Sequence, residues 1–335
     1  MKIYSEPGKL PNAELENLVL SKIEEKREEV LVGSSVGEDT AVLDLGGDLA
    51  VLSSDPITGA VENLGKLAIH VSVNDVSTKS ADAVGVLLTL LLPLGTKDSD
   101  IEKIMNDARS ACDEVHMDII GGHTEITDTV NQPIMISTVI GRVREEDLPE
   151  PDRIEAGDLV CMSKYAGLEG TAILCHDRAD ALHILGSDLI RRGAELVDDL
   201  SVQTEGEVAA HFRIGYMHDI TEGGVEGALW ESAVAVGKGM EIQKFKIPVH
   251  PATRAIEEST DINIYRLISS GSMIVIMNPD DFEPMHDELL QRGIPFTQIG
   301  VITDEEGIVY TDQGDRTPID PPGADALYSA LAELQ

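Results

Sequence analysis

The chain of 335 residues carries 61 Asp and Glu against 25 Lys and Arg, a formal net charge of −36, with 42% hydrophobic but only 3% aromatic residues. Such an excess of acid excludes a general nucleic-acid or anionic-membrane surface, because both partners require clustered Lys and Arg. The length implies two domains, and the scarcity of aromatics leaves cores of Val, Ile, Leu and Ala, as in alternating strands and helices.

The longest apolar run, residues 84–92, is strand-sized, and residues 1–6 have no signal-peptide core, so a cytoplasmic protein with no membrane span is expected. Cys112, Cys161 and Cys175 form no close pair and no zinc spacing, as suits a reducing compartment. In chain order, residues 13–28 have a helical pattern, and 42–44 with 49–53 read as strands joined by the turn Gly46-Gly47-Asp48. Asp55 then falls just past a strand end. Over 62–79 the pattern is helical, and Leu64, Ala68, Val71 and Asp75 fall on one face. An ionised Asp in line with an apolar stripe is costly unless a cation or strong donors compensate it, which singles out Asp75.

Residues 84–92 read as a buried strand ending at Pro93. Ser99-Asp100-Ile101-Glu102 has the form of a capping box, opening a helix with Ile101, Ile104, Met105, Ala108, Cys112 and Val115 on its apolar stripe. A short strand, 118–120, runs into Gly121-Gly122 at its end, and 134–143 is a further strand. The charged, proline-bearing stretch 144–155 marks a domain boundary. Beyond it come a strand at 159–163, helices from Gly167 and over 187–202, and a helix over 225–236 preceded by Met217-His218-Asp219-Ile220-Thr221-Glu222-Gly223-Gly224. A strand at 273–277, a helix around 281–292 and strands near Ile299 and Ile308 follow.

Four clusters stand in a fixed order: Gly37-Glu38-Asp39-Thr40-Ala41, Ser54-Asp55-Pro56, Asn74-Asp75 and Gly121-Gly122-His123-Thr124-Glu125. Carboxylates are hard ligands suited to magnesium, and glycine lets backbone N–H groups approach phosphate closely. Each cluster alone is equally a turn or a helix cap. His123 is either a turn histidine or a phosphate or substrate hydrogen-bond partner, or a proton donor. Gly223-Gly224 either presents N–H groups to an anion or belongs to an ordinary helix start capped by Thr221 or Asp219. Gly167-Leu168-Glu169-Gly170-Thr171 is either an anion site or a point of close helix packing. P-loop, dinucleotide and nucleophile-elbow motifs are absent from the sequence.

Taken together, these motifs resemble the ATP-binding superfamily of aminoimidazole ribonucleotide (AIR) synthetase, selenophosphate synthetase, thiamine-monophosphate kinase and the hydrogenase-maturation factor HypE. The resemblance runs from Gly8-Lys9-Leu10 through Ala156-Gly157-Asp158 to residues 217–224 and looks closest to HypE-like, AIR synthase-related proteins. It implies an α/β (α+β) two-domain PurM-like fold, with an N-terminal domain over 1–145 bearing dimer-forming strands and a C-terminal α/β sandwich domain over 155–335. ATP would lie between the domains. The resemblance puts Asp39, Asp55 and Asp75 on Mg2+, with Asp55, Asp75 and His123 in catalysis. Thr40, Asn74, Gly121, Gly122, Thr124 and Glu125 would contact the nucleotide, joined by Asp219, Gly223 and Gly224 from the C-terminal side.

The implied chemistry is ATP-driven phosphorylation of an amide or carbonyl oxygen on a small or carrier-bound substrate, in a homodimer that works with a maturation partner protein. A small-metabolite kinase and a catalytically silent nucleotide-binding partner are the alternatives. HypE ends in a cysteine that carries the carbamoyl group, whereas this sequence ends Leu331-Ala332-Glu333-Leu334-Gln335 and its last cysteine is Cys175. That departure argues against the cyanide-making reaction. The absence of any cysteine before Cys112 argues against selenophosphate synthesis, and Gly121-Gly122-His123-Thr124 departs from the Gly-Gly-Asp-Thr of thiamine-monophosphate kinase.

Overall fold

The computed structural model describes residues 12–13, 30–32, 35–38, 40–58, 63–305, 307–312 and 315–334. The helix expected over 13–28 lies, apart from Ala13, outside the described residues, as does Asp39.

The first half forms β1 (Val30–Val32), β2 (Ala41–Asp44), β3 (Leu49–Ile57), α1 (Leu64–Ser77), β4 (Asp82–Pro93), α2 (Asp98–Glu114), β5 (Asp118–Thr127) and β6 (Ile134–Val143). The strands make one sheet in the order β1-β2-β3-β6-β4-β5. Along β6, Met135, Ser137, Val139, Gly141 and Val143 are buried while the residues between them are not. That alternation of period two gives the sheet one face covered by helix and one face left open. Packing of α1 on α2 is close because Gly65 has no Cβ, which would sit 2.2 Å from Ile104 O.

Three expectations are corrected in this half. Asp55 lies inside β3 rather than past it, in register with Ser137 of β6. α2 begins two residues before the expected box, because the Asp100 carboxylate reaches back to accept the Lys97 N–H at 3.1 Å. Gly121 and Gly122 are not at a strand end but within β5, the parallel edge partner of β4. Glycine is required at the second of them for pairing, since a Cβ on Gly122 would lie 1.9 Å from Leu88 O.

The second half contains β7 (Leu159–Ser163), α3 (Leu168–Asp177), α4 (Ser187–Ala194), α5 (Gln203–Ala209), β8 (Ile214–Ile220), α6 (Gly224–Val236) and β9 (Gly239–Ile242). It continues through α7 (Pro251–Ser259), β10 (Ser272–Met277), α8 (Pro279–Gln291), β11 (Phe296–Thr303), β12 (Ile308–Asp312), β13 (Asp315–Pro318) and α9 (Ala326–Glu333). Its sheet runs β13-β12-β9-β11-β7-β10-β8. The single helix expected over 187–202 is instead α4 followed by a 3-10 turn at Glu195–Asp199, where Leu196 and Leu200 turn in to pack on Leu67 and Leu168. α8 starts at Pro279, whose fixed φ suits a first turn, and Asn278 caps it by accepting the Asp280 N–H at 3.0 Å.

β8 ends its sheet, yet all seven of its residues are buried. The first domain helps to cover it, with Tyr216 Oη donating to Gly37 O at 2.5 Å. α1 is clamped to the second domain at the same junction. Asn74 Nδ2 donates to Leu200 O at 2.8 Å, and Asn74 Oδ1 accepts the Val202 N–H at 2.8 Å. A Cβ on Gly206 would come within 2.5 Å of Ser77 O, so α5 approaches α1 backbone to backbone.

Candidate functional site

Ser53, Asp55 and Ile57 alternate onto the helix-covered side of β3, and α1 crosses that side. The crossing sets Ser53 Oγ between two carboxylates, 3.2 Å from Asp55 Oδ2 and in hydrogen-bond contact with Asp75 Oδ2. Asp75 is 4% exposed. Burying a carboxylate to that degree is costly without donors or a cation, so the hydroxyl bridge is both a partial compensation and a mark of a built site.

The Gly37–Thr40 motif is tied to the same region. Glu38 Oε1 accepts from Thr40 Oγ1 at 2.6 Å and from the Thr40 N–H at 3.2 Å, while its Oε2 pairs with Lys79 Nζ at 2.9 Å. Gly37 sits at φ 80°, where a side chain is strained, and its Cβ would meet Glu231 O of α6 at 2.8 Å. The glycine thus lets the motif lie flat on the second domain.

From that domain β8 brings His218 and Asp219, both buried. His218 Nε2 lies 3.1 Å from Glu231 Oε2, and its Nδ1 lies 4.0 Å from Asp219 Oδ1. At the start of α6 the Gly223 N–H, which the sequence offered to an anion, is taken by the protein's own Asp325 Oδ2 at 2.7 Å. Asp325 Oδ1 accepts from Leu327 N at 2.8 Å and Ile268 N at 3.2 Å, tying the C-terminal segment onto this turn. Gly224 packs so closely that a Cβ would lie 2.6 Å from Tyr265 O.

Asp55 and Asp75 are therefore brought together, with Asn74 beside them but spent on the domain junction. His123 and Glu125 are elsewhere: both are exposed on edge strand β5, 3.5 Å apart from Nε2 to Oε2, with β4 and β6 between them and β3. At ~4.8 Å per strand, three strand spacings put them roughly 14 Å from the Asp55 strand. Among the described residues no three His, Cys, Asp or Glu side chains converge as a metal cage. Sequence reasoning missed Ser53, Lys79, Tyr216 and Asp325. Lys79 had a usable signal, standing four residues after Asp75, whereas Asp325 is too remote in sequence from Gly223 for any local pattern to join them.

Glu169, on the first turn of α3, is buried with Ser270 as hydrogen-bond partner, and its Oε2 has no hydrogen-bond partner among the described residues. Desolvation pushes its pKa up to about 7 from 4.5, and burial likewise pushes Asp325 up to about 6. A raised carboxyl pKa means that the folded protein keeps a proton the unfolded chain releases. The contribution of Glu169 to stability is full below pH 4.5 and lost as pH rises through about 7. Glu169→Gln is expected to flatten this limb, measured as the melting temperature between about pH 5 and pH 8.

Two mixed sheets meeting at an acidic junction define a two-domain α/β class, distinct from the P-loop and dinucleotide folds. The chain belongs to the AIR synthase related protein family: the model of its N-terminal domain matches residues 37–143 and that of its C-terminal domain residues 155–313. A Methanocaldococcus jannaschii protein assigned to hydrogenase expression and formation is 24% identical over 334 residues, covering 97% of this chain and 98% of its own length. Carbamoyl dehydratase HypE of Escherichia coli is 26% identical over 314 residues, covering 87% of this chain and 88% of its own. A structure of HypE in complex with ATP superposes with TM-score 0.70 at 21% identity, covering 94% of this chain and 96% of that one. ThiL complexed with AMPPCP and TMP gives TM-score 0.72 at 19% identity, covering 96% and 99%. These likenesses establish the PurM-like two-domain fold.

Proposed function

We propose that the protein is an ATP-dependent, magnesium-requiring enzyme of HypE type that phosphorylates an amide or carbonyl oxygen of a small or carrier-bound substrate. The observation that carries this reading is the Asp55–Ser53–Asp75 bridge on the α1 side of the domain junction, which β8 joins with its buried Asp219. The ATP in the HypE complex and the AMPPCP in the ThiL complex support a nucleotide as ligand. Two carboxylates meeting at one hydroxyl suit magnesium, which takes one or two protein carboxylates and completes its shell with water and phosphate oxygens. Asp55 and Asp75 would hold the ion, and Asp39 is proposed as a third ligand. When bound, it supplies charge neutralisation on the phosphate oxygens.

The chain's own residues orient the reactants. Asn74 fixes α1 against the second domain, and with it the position of Asp75 relative to Asp219. In the transfer the substrate oxygen bonds to the γ-phosphorus as the bond from that phosphorus to the ADP oxygen breaks. Cys112, Cys161 and Cys175 are all buried, and burial pushes the thiols of Cys112 and Cys175 up to about 11. Such thiols are poor nucleophiles, so the oxygen to be activated is assigned to the substrate and not to a group carried on these three cysteines. We place the homodimer contact on the open face and edge at β4 and β5, a placement supported by exposed Val84, Leu87, Ile120 and Ile126.

Calorimetry with ATP and Mg2+, with ADP and phosphate followed in parallel, tests the reading. Asp55→Ala and Asp75→Ala are each expected to weaken Mg–ATP binding at least about tenfold, the loss of one charged contact. Wild-type protein that binds no nucleotide overturns the proposal. Phosphate recovered on a metabolite with no release to solution supports a small-molecule kinase instead.

A further inference from the structure

We propose that Lys79 is a nucleotide-binding residue which leaves Glu38 to engage the phosphate tail of a nucleoside triphosphate. This rests on the ATP reading above and adds a residue to it. Lys79 lies two residues past the end of α1, whose last turn carries Asp75. Its ammonium is nearly buried, at 11% side-chain exposure, and pairs with Glu38 Oε2 at 2.9 Å. An ammonium has three donors. Among the described residues, the Glu38 carboxylate is the only hydrogen-bond acceptor for Lys79 Nζ, which otherwise lies 5.9 Å from the centroid of the Tyr216 ring. A buried cation with two donors unspent is poised to accept further oxygen ligands.

Charge points the same way. The junction gathers Glu38, Asp55, Asp75 and Asp219, so a triphosphate entering it meets strong repulsion that metal ions alone offset only in part. Lys79 lies within the Gly37–Thr40 side of this acidic wall, and its pairing with Glu38 keeps the cation in place before the ligand arrives. Tyr216 holds the arrangement together, since its hydroxyl is fixed on Gly37 O and its ring lies under the ammonium. Moving from a carboxylate to a phosphate oxygen exchanges one charged bond for another, and Glu38, left without its countercharge, keeps its two bonds from Thr40.

The experiment compares ATP with AMP, both with Mg2+, by calorimetry on the full chain. Lys79→Met is expected to weaken ATP binding by about 10- to 100-fold and AMP binding by less than about threefold, since the lost contact is to the outer phosphates. The double variant Lys79→Met/Glu38→Gln removes the unpaired carboxylate and keeps the protein foldable, and it is expected to remain weak for ATP. Equal losses for ATP and AMP, no loss, or recovery of ATP affinity in the double variant would each show that Lys79 serves only to neutralise Glu38, and would overturn the inference while leaving the ATP reading intact. Wild-type protein that binds neither nucleotide removes both.

Discussion

Gly122→Ala is expected to destabilise the protein without any nucleotide present, by about 3 kcal/mol, measured as a lowered urea midpoint of the apo chain. A methyl group at this position would lie 1.9 Å from Leu88 O, 2.7 Å from Leu88 C and 2.8 Å from Leu88 N. All three are backbone atoms of β4, the strand between β5 and β6, so no rotamer change relieves the contact. At φ 144° the residue also adopts a conformation that L side chains rarely adopt. Gly121 differs, because its closest neighbour is the Leu87 Cδ2 methyl at 3.3 Å, which can move aside. Gly121→Ala should therefore cost less than Gly122→Ala. If the second glycine serves only to cradle phosphate, Gly122→Ala instead leaves apo stability unchanged and lowers nucleotide affinity alone.

The same pair shows where sequence reasoning was strong and where it stopped. Apolar runs bounded by turn residues announced β3, β4 and β6, because strands packed against a helix layer need such runs. The Gly-Gly dipeptide was legible as a place where backbone comes close to something. Its partner was not, since a parallel neighbour is set by a crossover through α2 and leaves no local mark. β8 was missed as a strand for a related reason: buried on both faces beneath the other domain, it shows no alternation. Within the site, Asp75 stood out as an acid on an apolar helix, and the fold sets it beside Asp55 through Ser53. Ser53, the hydroxyl between them, gave no signal, because serine near a strand end is commonplace and only the crossing of α1 over β3 gives it a role. Glu169 was bracketed among glycines as an anion site or a packing point, and its burial favours the packing reading while leaving a carboxyl that titrates near neutrality.

Asn74→Ala is expected to lower stability by about 2–4 kcal/mol and to weaken nucleotide binding as a consequence. Both hydrogen-bonding ends of the amide are used on one short segment, Nδ2 on Leu200 O and Oδ1 on Val202 N, each at 2.8 Å and each buried. Truncation leaves a carbonyl and an N–H buried without partners, which costs more than the net worth of two intact bonds. The segment so released is the one that also carries Leu196 and Leu200 onto Leu67 and presents Gly206 to Ser77, so the loosening falls on the domain junction. Asn74→Asp discriminates further, because a carboxylate still accepts from Val202 N but faces Leu200 O with like charge and no donor. It should therefore be destabilising at neutral pH and recover toward acidic pH as the carboxyl is protonated and can donate. Urea unfolding of the apo protein decides the role of the residue: a large apo effect marks Asn74 as the pin that sets Asp75 against the second domain, whereas unchanged apo stability with lost ATP binding would make its amide a nucleotide ligand.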